Sequence, residues 1–312
     1  MVVLTKSNRR KLYRGGVSMS DHGNSNRITR EYLDSLMIET RYMDSETPDL
    51  TFRLFGETFA SPIMTAALSH LDHFMFPGAA QALAEGARDA GAVLWYGMAP
   101  EEEINRLADT GARMIEIIKP YTDREVITRK IAHAEQRGLL AVGIDIDHAF
   151  GDDGGKDVVS GEEMTPLRTA ELEEICGSTK LPVIIKGVLS MKDAQKCIGA
   201  GAAGLVLSHH NNRIGYAIPP AVILPEIAAL AGRAIPVFAD CEIQTGMDAF
   251  KMLALGASGV CIGRPLMTAI KKGGAEGVRD YLLNANRELG KAMAFTGCTT
   301  LGRMDPTVIR RL

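Results

Sequence analysis

The sequence predicts an α/β chain closed as a TIM-type (β/α)8 barrel, preceded by a short helical and hairpin extension. Three observations predict it. Short β-branched or apolar runs alternate with stretches of helical periodicity, the pattern of a parallel sheet covered by helices. The runs number eight and are evenly spaced. Several helical stretches stop at glycine, at Gly91, Gly111, Gly138, Gly201 and Gly256, and three stops, in DAGAVLWY, GAGAAGLVL and ALGASGVCI, feed directly into an apolar run. An eightfold βα chain closes most economically on itself. A doubly wound open sheet is the alternative, but it rarely carries eight units of such even spacing.

Taken in order, residues 1–45 stand outside the repeat as an N-terminal extension and 46–312 form the barrel unit. RITREYLDSLMIETRYM has the periodicity of an amphipathic helix, and DLTFRLFGETF reads as a hairpin capping the barrel floor. Strands are expected at 62–68, 92–98, 114–119, 139–145, 182–188, 203–208, 236–240 and 259–263, with helices between them such as 78–90 and 124–137. Two insertions break the rhythm: 148–165, rich in Gly and Asp, after strand four, and 211–220 after strand six. Both leave the C-terminal ends of strands, where barrels build their active sites.

Composition narrows the function classes. With 46% hydrophobic and 23% charged residues and 32 glycines in 312, the chain has material for a large core and many tight turns. Aromatics at 5% leave aliphatic side chains to fill that core. A net charge of −3 gives no general attraction to nucleic acid or an anionic membrane. The opening MVVLTKSNRRKLYRGG places its basic cluster after a very short apolar stretch, the reverse of a secretory signal, so a cytoplasmic location is expected. The cysteines, Cys176, Cys197, Cys241, Cys261 and Cys298, are widely spaced with no CxxC. They read as free thiols, with neither a disulfide framework nor a zinc site.

The densest chemistry is LSHHNNRIGY at the end of strand six. Because a strand alternates faces, His209 and His210 point different ways, and at most one serves as a base. A solvated polar loop is the plain alternative to an imidazole base with the Arg213 guanidinium beside it, able to grip a carboxylate. Lys186 ends four apolar residues in PVIIKGVLS, so it either escapes to solvent or neutralises a buried anion. FADCEIQTG and CIGRP end strands seven and eight, where barrels commonly bind phosphate, placing Asp240, Gly263 and Arg264 there. His70 and His73 have H-x-x-H spacing without a third ligand, and no metal is expected. Trp95 and Tyr96 read as core.

From LPVIIKGVLSMKDAQKCIGAGAAGLVLSHHNNR through IPVFADCEIQTGMDAFKMLALGASGVCIGRPL to the later TGC, the chain resembles the FMN-dependent α-hydroxy-acid oxidase and dehydrogenase family, the glycolate oxidase and lactate oxidase group. The resemblance extends over most of residues 50–300. It implies FMN as cofactor, a small-molecule substrate and a homo-oligomer, a tetramer. Lys186 would lie against the flavin's pyrimidine edge, with Ser208 near the ring. Ala66 and Ala67 would pass their backbone by the flavin, and Glu116 stands in place of a flavin-contacting Gln. Asp240 would hold the ribityl chain, and Gly263 and Arg264 the phosphate. His210 would take the substrate proton while flavin N5 accepts hydride, Arg213 would bind the carboxylate, and Asp145 matches an Asp of strand four.

The departures fall mainly on the substrate side. Glu116-Ile117-Ile118 replaces a Gln-Leu-Tyr motif, and DIDHAFGDDGG puts His148, Asp152 and Asp153 where basic residues stand in the family. In the phosphate loop Cys241 and Glu242 replace two glycines and Gln244 an arginine. Two other readings stay open: a flavin isomerase of the type 2 isopentenyl-diphosphate kind, which would need a basic diphosphate pocket, and a non-catalytic flavin-binding barrel.

Overall fold

The computed structural model describes residues 23–232 and 234–312; the basic opening segment lies outside them. Eight parallel strands form one sheet: β1 (Ile63–Thr65), β2 (Leu94–Gly97), β3 (Met114–Ile118), β4 (Ala141–Asp145), β5 (Val183–Lys186), β6 (Gly204–Leu207), β7 (Val237–Ala239) and β8 (Gly259–Ile262). Hydrogen bonding runs in the order β1-β8-β7-β6-β5-β4-β3-β2. The two ends of that order meet through a parallel bridge between Leu68 and Tyr96, with Thr65 N donating to Val93 O at 3.2 Å, which closes the barrel. Each strand lies within its expected run.

The helices are α1 (Ser25–Ser35), α2 (Leu71–Phe74), α3 (Ala79–Asp89), α4 (Glu101–Ala108), α5 (Arg124–Gln136), α6 (Thr169–Gly177), α7 (Met191–Gly199), α8 (Pro220–Ala231), α9 (Gly246–Ala254) and α10 (Arg264–Thr296). The last breaks at Gly273 and Gly274, whose backbone is not helical. Past this break α10 lies close against α3, where a Cβ on Gly86 would come within 2.5 Å of both Ala275 O and Val278 Cβ.

The extension differs from expectation in where its helix begins and ends. The helix starts two residues ahead of the expected stretch, at Ser25, capped by the Asn24 side chain, and stops at Ser35 rather than running on. Leu36–Ile38 turns extended and pairs antiparallel with Ile309–Arg311. That partner sits at the other end of the chain, so local periodicity carries no sign of it. Phe52–Leu54 and Glu57–Phe59 form the expected hairpin. Phe52, Leu54 and Phe59 plug one end of the barrel interior.

The interior is a separate layer of side chains. Met64, Val93, Trp95, Ile115, Ile117, Ala141, Ile184, Val206, Phe238 and Cys261 point inward as one cluster, while Met114, Ile118, Val142, Ile144, Val183, Ile185, Leu205 and Leu207 face the helices. Trp95 packs edge-on against Phe238 with ring centroids 5.4 Å apart, the core role expected for it.

Candidate active site at the mouth of the barrel

Strand alternation determines which side chains reach the mouth. Two residues beyond each inward apolar side chain, the same face continues upward. Ile117 thus leads to Lys119, Ile184 to Lys186, Val206 to Ser208, Phe238 to Asp240 and Cys261 to Gly263. Ala141 leads through Gly143 to Asp145. A ring of polar residues therefore sits directly on an apolar plug. Lys119, Asp145 and Lys186 are almost completely buried there.

Their charges are paired. Lys119 Nζ lies 2.5 Å from Asp145 Oδ2, and Lys186 Nζ lies 3.2 Å from Asp145 Oδ1 and 3.1 Å from His210 Nδ1. His210 reaches this point because the chain leaves β6 through three consecutive left-handed residues, His210, Asn211 and Asn212, types that tolerate this backbone better than most. Arg213 N then bonds back to His209 O at 3.0 Å. The turn separates the two imidazoles: His210 enters the mouth, whereas His209 is buried outward with Nε2 2.9 Å from Thr29 Oγ1 of α1.

The insertion after β4 adds a second layer. Asp147 Oδ1 lies 2.9 Å from His210 Nδ1, and its carboxylate fits because residue 187 is glycine. Gly187 has φ +95°, and a Cβ there would stand 2.6 Å from Asp147 Cγ. His148 Nε2 meets His210 Nε2 at 3.0 Å, while His148 Nδ1 lies 2.9 Å from Asp157 Oδ2. Arg213 Nη2 pairs with the same Asp157 oxygen at 2.5 Å and also donates to Phe150 O. Backbone bonds from Thr122 N to Glu163 O and from Thr165 N to Pro120 O tie the insertion to the loop after β3.

These partners set the protonation states. Burial works against charge on Asp145, but His210, Lys119 and Lys186 outweigh it and hold the carboxyl well below its ordinary range. Burial and the Asp145 charge push Asp147 up. Burial likewise opposes the Lys186 ammonium, and Asp145, Asp147 and Asp240 more than compensate. Lys119 shifts down, burial being the larger influence. His210 is raised above its ordinary 6.5, since Asp145 and Asp147 prevail over burial and the two lysines. His148 is pushed far down by burial, then by Lys119 and His210. One proton pattern satisfies the carboxylate and imidazole contacts: an imidazolium at His210 donates Nδ1–H to the carboxylates and Nε2–H to a neutral His148, whose own Nδ1–H goes to Asp157, while Lys186 meets His210 as a like charge and donates to Asp145.

Beside this cluster opens a cavity of about 940 Å³, lined by Ala66, Ala67, Lys186, His210, Asp240 and Arg264 among others. The N-terminus of α10 faces it, with Gly263 at the cap, so backbone N–H groups and a guanidinium converge at one end.

A family model described as FMN-dependent dehydrogenase matches residues 9–169 and 152–311. The chain belongs to this family. An L-lactate oxidase of Lacticaseibacillus rhamnosus (strain LMS2-1) is 31% identical over 314 residues, covering 90% of this chain and 85% of that protein. Glycolate oxidase 1 of Oryza sativa subsp. indica is 28% identical over 310 residues, covering 87% and 84%. Among solved structures, a mandelate oxidase variant carrying the monooxide FMN adduct superposes with a TM-score of 0.84 at 28% identity, covering 96% of this chain and 94% of that one.

As a member of this family the chain is a flavoprotein oxidoreductase, and its residues fit the ring of the cofactor. The cavity has the volume of a cofactor site, small Ala66 and Ala67 line it, and a buried ammonium borders it. The far end differs, since Glu242 forms an ion pair with Arg264 there.

The residues expected from sequence divide into four groups. Ala66, Ala67, Lys186, His210, Asp240, Gly263 and Arg264 come together around the cavity. Ser208 is buried beneath it, where its Oγ accepts from His210 N at 3.0 Å and so shapes the turn. Arg213 is close by but engaged by Asp157. Glu116 is a correction: it is the outward residue of β3, buried against α5 with Lys130 Nζ 3.3 Å from Oε1. The inward place belongs to Ile117 and then Lys119, one residue out of step with the motif comparison. Lys186 also differs in its partner, because the chain itself supplies the anion in Asp145.

Sequence reasoning missed Lys119, Asp147 and Asp157. Extending the period of Ile115 and Ile117 by one step would have found Lys119. Asp147 and Asp157 lie in an irregular loop, where no period exists to extend.

Proposed function

We propose that this chain oxidises a 2-hydroxy acid to the 2-oxo acid at the barrel mouth. His210 takes the hydroxyl proton, Arg213 meets the acid group, and Lys186 stabilises the electron-rich cofactor. The observation that carries this reading is that the Lys186 and His210 side chains, 3.1 Å apart, line one cavity of cofactor size. FMN, when bound, supplies the acceptor for the two electrons released with the α-hydrogen. Ala66, Ala67, Ser208, Asp240, Gly263 and Arg264 are the residues we assign to holding it.

The chain's own groups do the proton work. His210 accepts a proton only after its Nε2–H has been shed to solvent, because His148, 3.0 Å away, is held far below its ordinary basicity and does not keep it. Asp145 and Asp147 then fix the Nδ1 side, which leaves Nε2 as the accepting nitrogen. A substrate carboxylate displaces Asp157 from Arg213, exchanging one charge-assisted pair for another. A diphosphate substrate, as the isomerase reading requires, would meet Asp240 and Glu242 beside Arg264.

We further place the protein in the cytoplasm as a homotetramer, the oligomer resting on the family resemblance and the compartment on five unpaired cysteines. No helix among the described residues is long and apolar enough to cross a membrane.

The test is anaerobic: purified, FMN-loaded protein is mixed with 2-hydroxy acids of graded size and its flavin absorbance followed. Bleaching by at least one acid, with the matching 2-oxo acid as product, is the expected result. No bleaching by any of them removes the reading.

A further inference from the structure

The loop after β7 is built in a way that alters how the site treats a phosphate. Cys241 and Glu242 both have left-handed backbone, with φ of +68° and +61°, a region that favours glycine. Surrounding contacts hold them there. Arg30 Nη1 of α1 donates to Glu242 O at 2.9 Å, Cys241 Sγ donates to Asp240 Oδ1 at 2.8 Å, and Gln244 N and Thr245 N both donate to Asp248 Oδ2 at 3.1 Å.

The result is a carboxylate turned into the cavity end. The Glu242 side chain is 8% exposed; Oε1 forms the ion pair with Arg264 Nη2 without an aligned hydrogen bond, and Oε2 accepts from Gln244 Nε2 at 3.0 Å. Arg264, the side chain assigned to the cofactor's phosphate, therefore already holds an anion that the chain supplies. Arg264, Lys272, Asp240 and Glu242 all line this cavity. Two positive and two negative groups leave no net charge for a phosphate dianion to neutralise.

We infer that Glu242 competes with the phosphate of FMN for Arg264, so that the site gains little from the phosphate and holds riboflavin about as well as FMN. This rests on the flavin reading above. Binding comes from the ring end, and the phosphate must first displace Glu242. Removing the carboxylate leaves Arg264, Lys272 and the α10 N-terminus free for the phosphate.

The test is fluorescence-quench titration of flavin-free full-length protein with FMN and with riboflavin, in wild type, Glu242→Gly and Glu242→Gln. Glycine suits the φ of +61°, and glutamine keeps the side-chain shape should glycine alter the loop. Wild type is expected to bind the two flavins within about threefold, the scale left when a charge-assisted contact is already satisfied internally. Both variants are expected to tighten FMN by roughly 10–100-fold, the worth of one freed charge-assisted pair, with riboflavin unchanged. Arg264→Met should abolish that gain in the glycine background. Wild type holding FMN more than about a hundredfold tighter than riboflavin overturns the inference while leaving the flavin site intact. So does an unchanged ratio in both variants. Binding of neither flavin by any of these proteins overturns the flavin site and this inference together.

Discussion

The base at the mouth is an imidazole whose pKa is set by a contest among charges. Two carboxylates raise it and two ammonium groups lower it, and the carboxylates prevail over burial as well. A base acts in its deprotonated form, so a raised pKa keeps it inactive to higher pH. The rate of flavin reduction should therefore climb with pH along a limb lying above the ordinary imidazole value of 6.5. A limb centred below that value would contradict the assignment. Lys119→Met sharpens the test, because Lys119 is one of the groups holding His210 down; its removal should shift the limb to still higher pH. The same change takes one of two ammonium partners from the buried Asp145. We expect a cost of about 1–3 kcal/mol, less than for a lone pair because Lys186 remains. Thermal melting would read it, and an unaltered Tm would show that Lys119 contributes nothing to the cluster's stability.

Two elements do the positioning. Helix α1 clasps the loops after β6 and β7: Arg30 pairs with Asp248 at 2.8 Å and donates to Glu242 O, Thr29 meets His209, and Ser25 N donates to Asn212 Oδ1 at 2.7 Å. Arg30→Ala should lower Tm by roughly 2–6 °C, given the loss of charge-assisted bonds worth about 1–3 kcal/mol. The pH dependence has a definite sign. Burial would raise Asp248, but Arg30 and the loop amides hold it below 3.8. Its contribution is thus present above that ordinary value and fades as pH falls through the depressed one. A clasp that weakens on raising pH from 5 to 7 would refute this. The second element is the insertion after β4. Gly187→Ala, placing a Cβ against Asp147, should loosen that carboxylate from His210 and slow flavin reduction; a variant with wild-type rate would show that the Asp147 contact is dispensable.

Legibility followed the same division. The strands and most helix ends were readable because period two, helical periodicity and glycine stops are local signals. The inward ring was readable where alternation is unbroken, as at Lys186 and Asp240. It was misread at β3, where matching Glu116 to a motif position overrode the simpler alternation of Ile115, Ile117 and Lys119. The pairing of Leu36–Ile38 with Ile309–Arg311, and the reach of Asp147 and Asp157 into the mouth, depend on contacts distant in sequence, which no window along the chain contains.

At the scale of the whole molecule, an apolar plug of aliphatic and aromatic side chains supports a ring of paired charges, and the cavity opens beside that ring. Removing Lys186 should leave the plug intact and change the cofactor: Lys186→Met is expected to make the bound flavin harder to reduce, read as a more negative midpoint potential. An unchanged potential would place that ammonium in structure alone. The central claim is that His210 receives the substrate's proton beside a bound flavin. Anaerobic stopped-flow reduction of His210→Ala tests it most directly. The account predicts that the variant keeps its yellow colour and is reduced by a 2-hydroxy acid about 10²–10⁴-fold more slowly than wild type, the usual scale for losing a general base. Reduction at the wild-type rate with flavin still bound would contradict it.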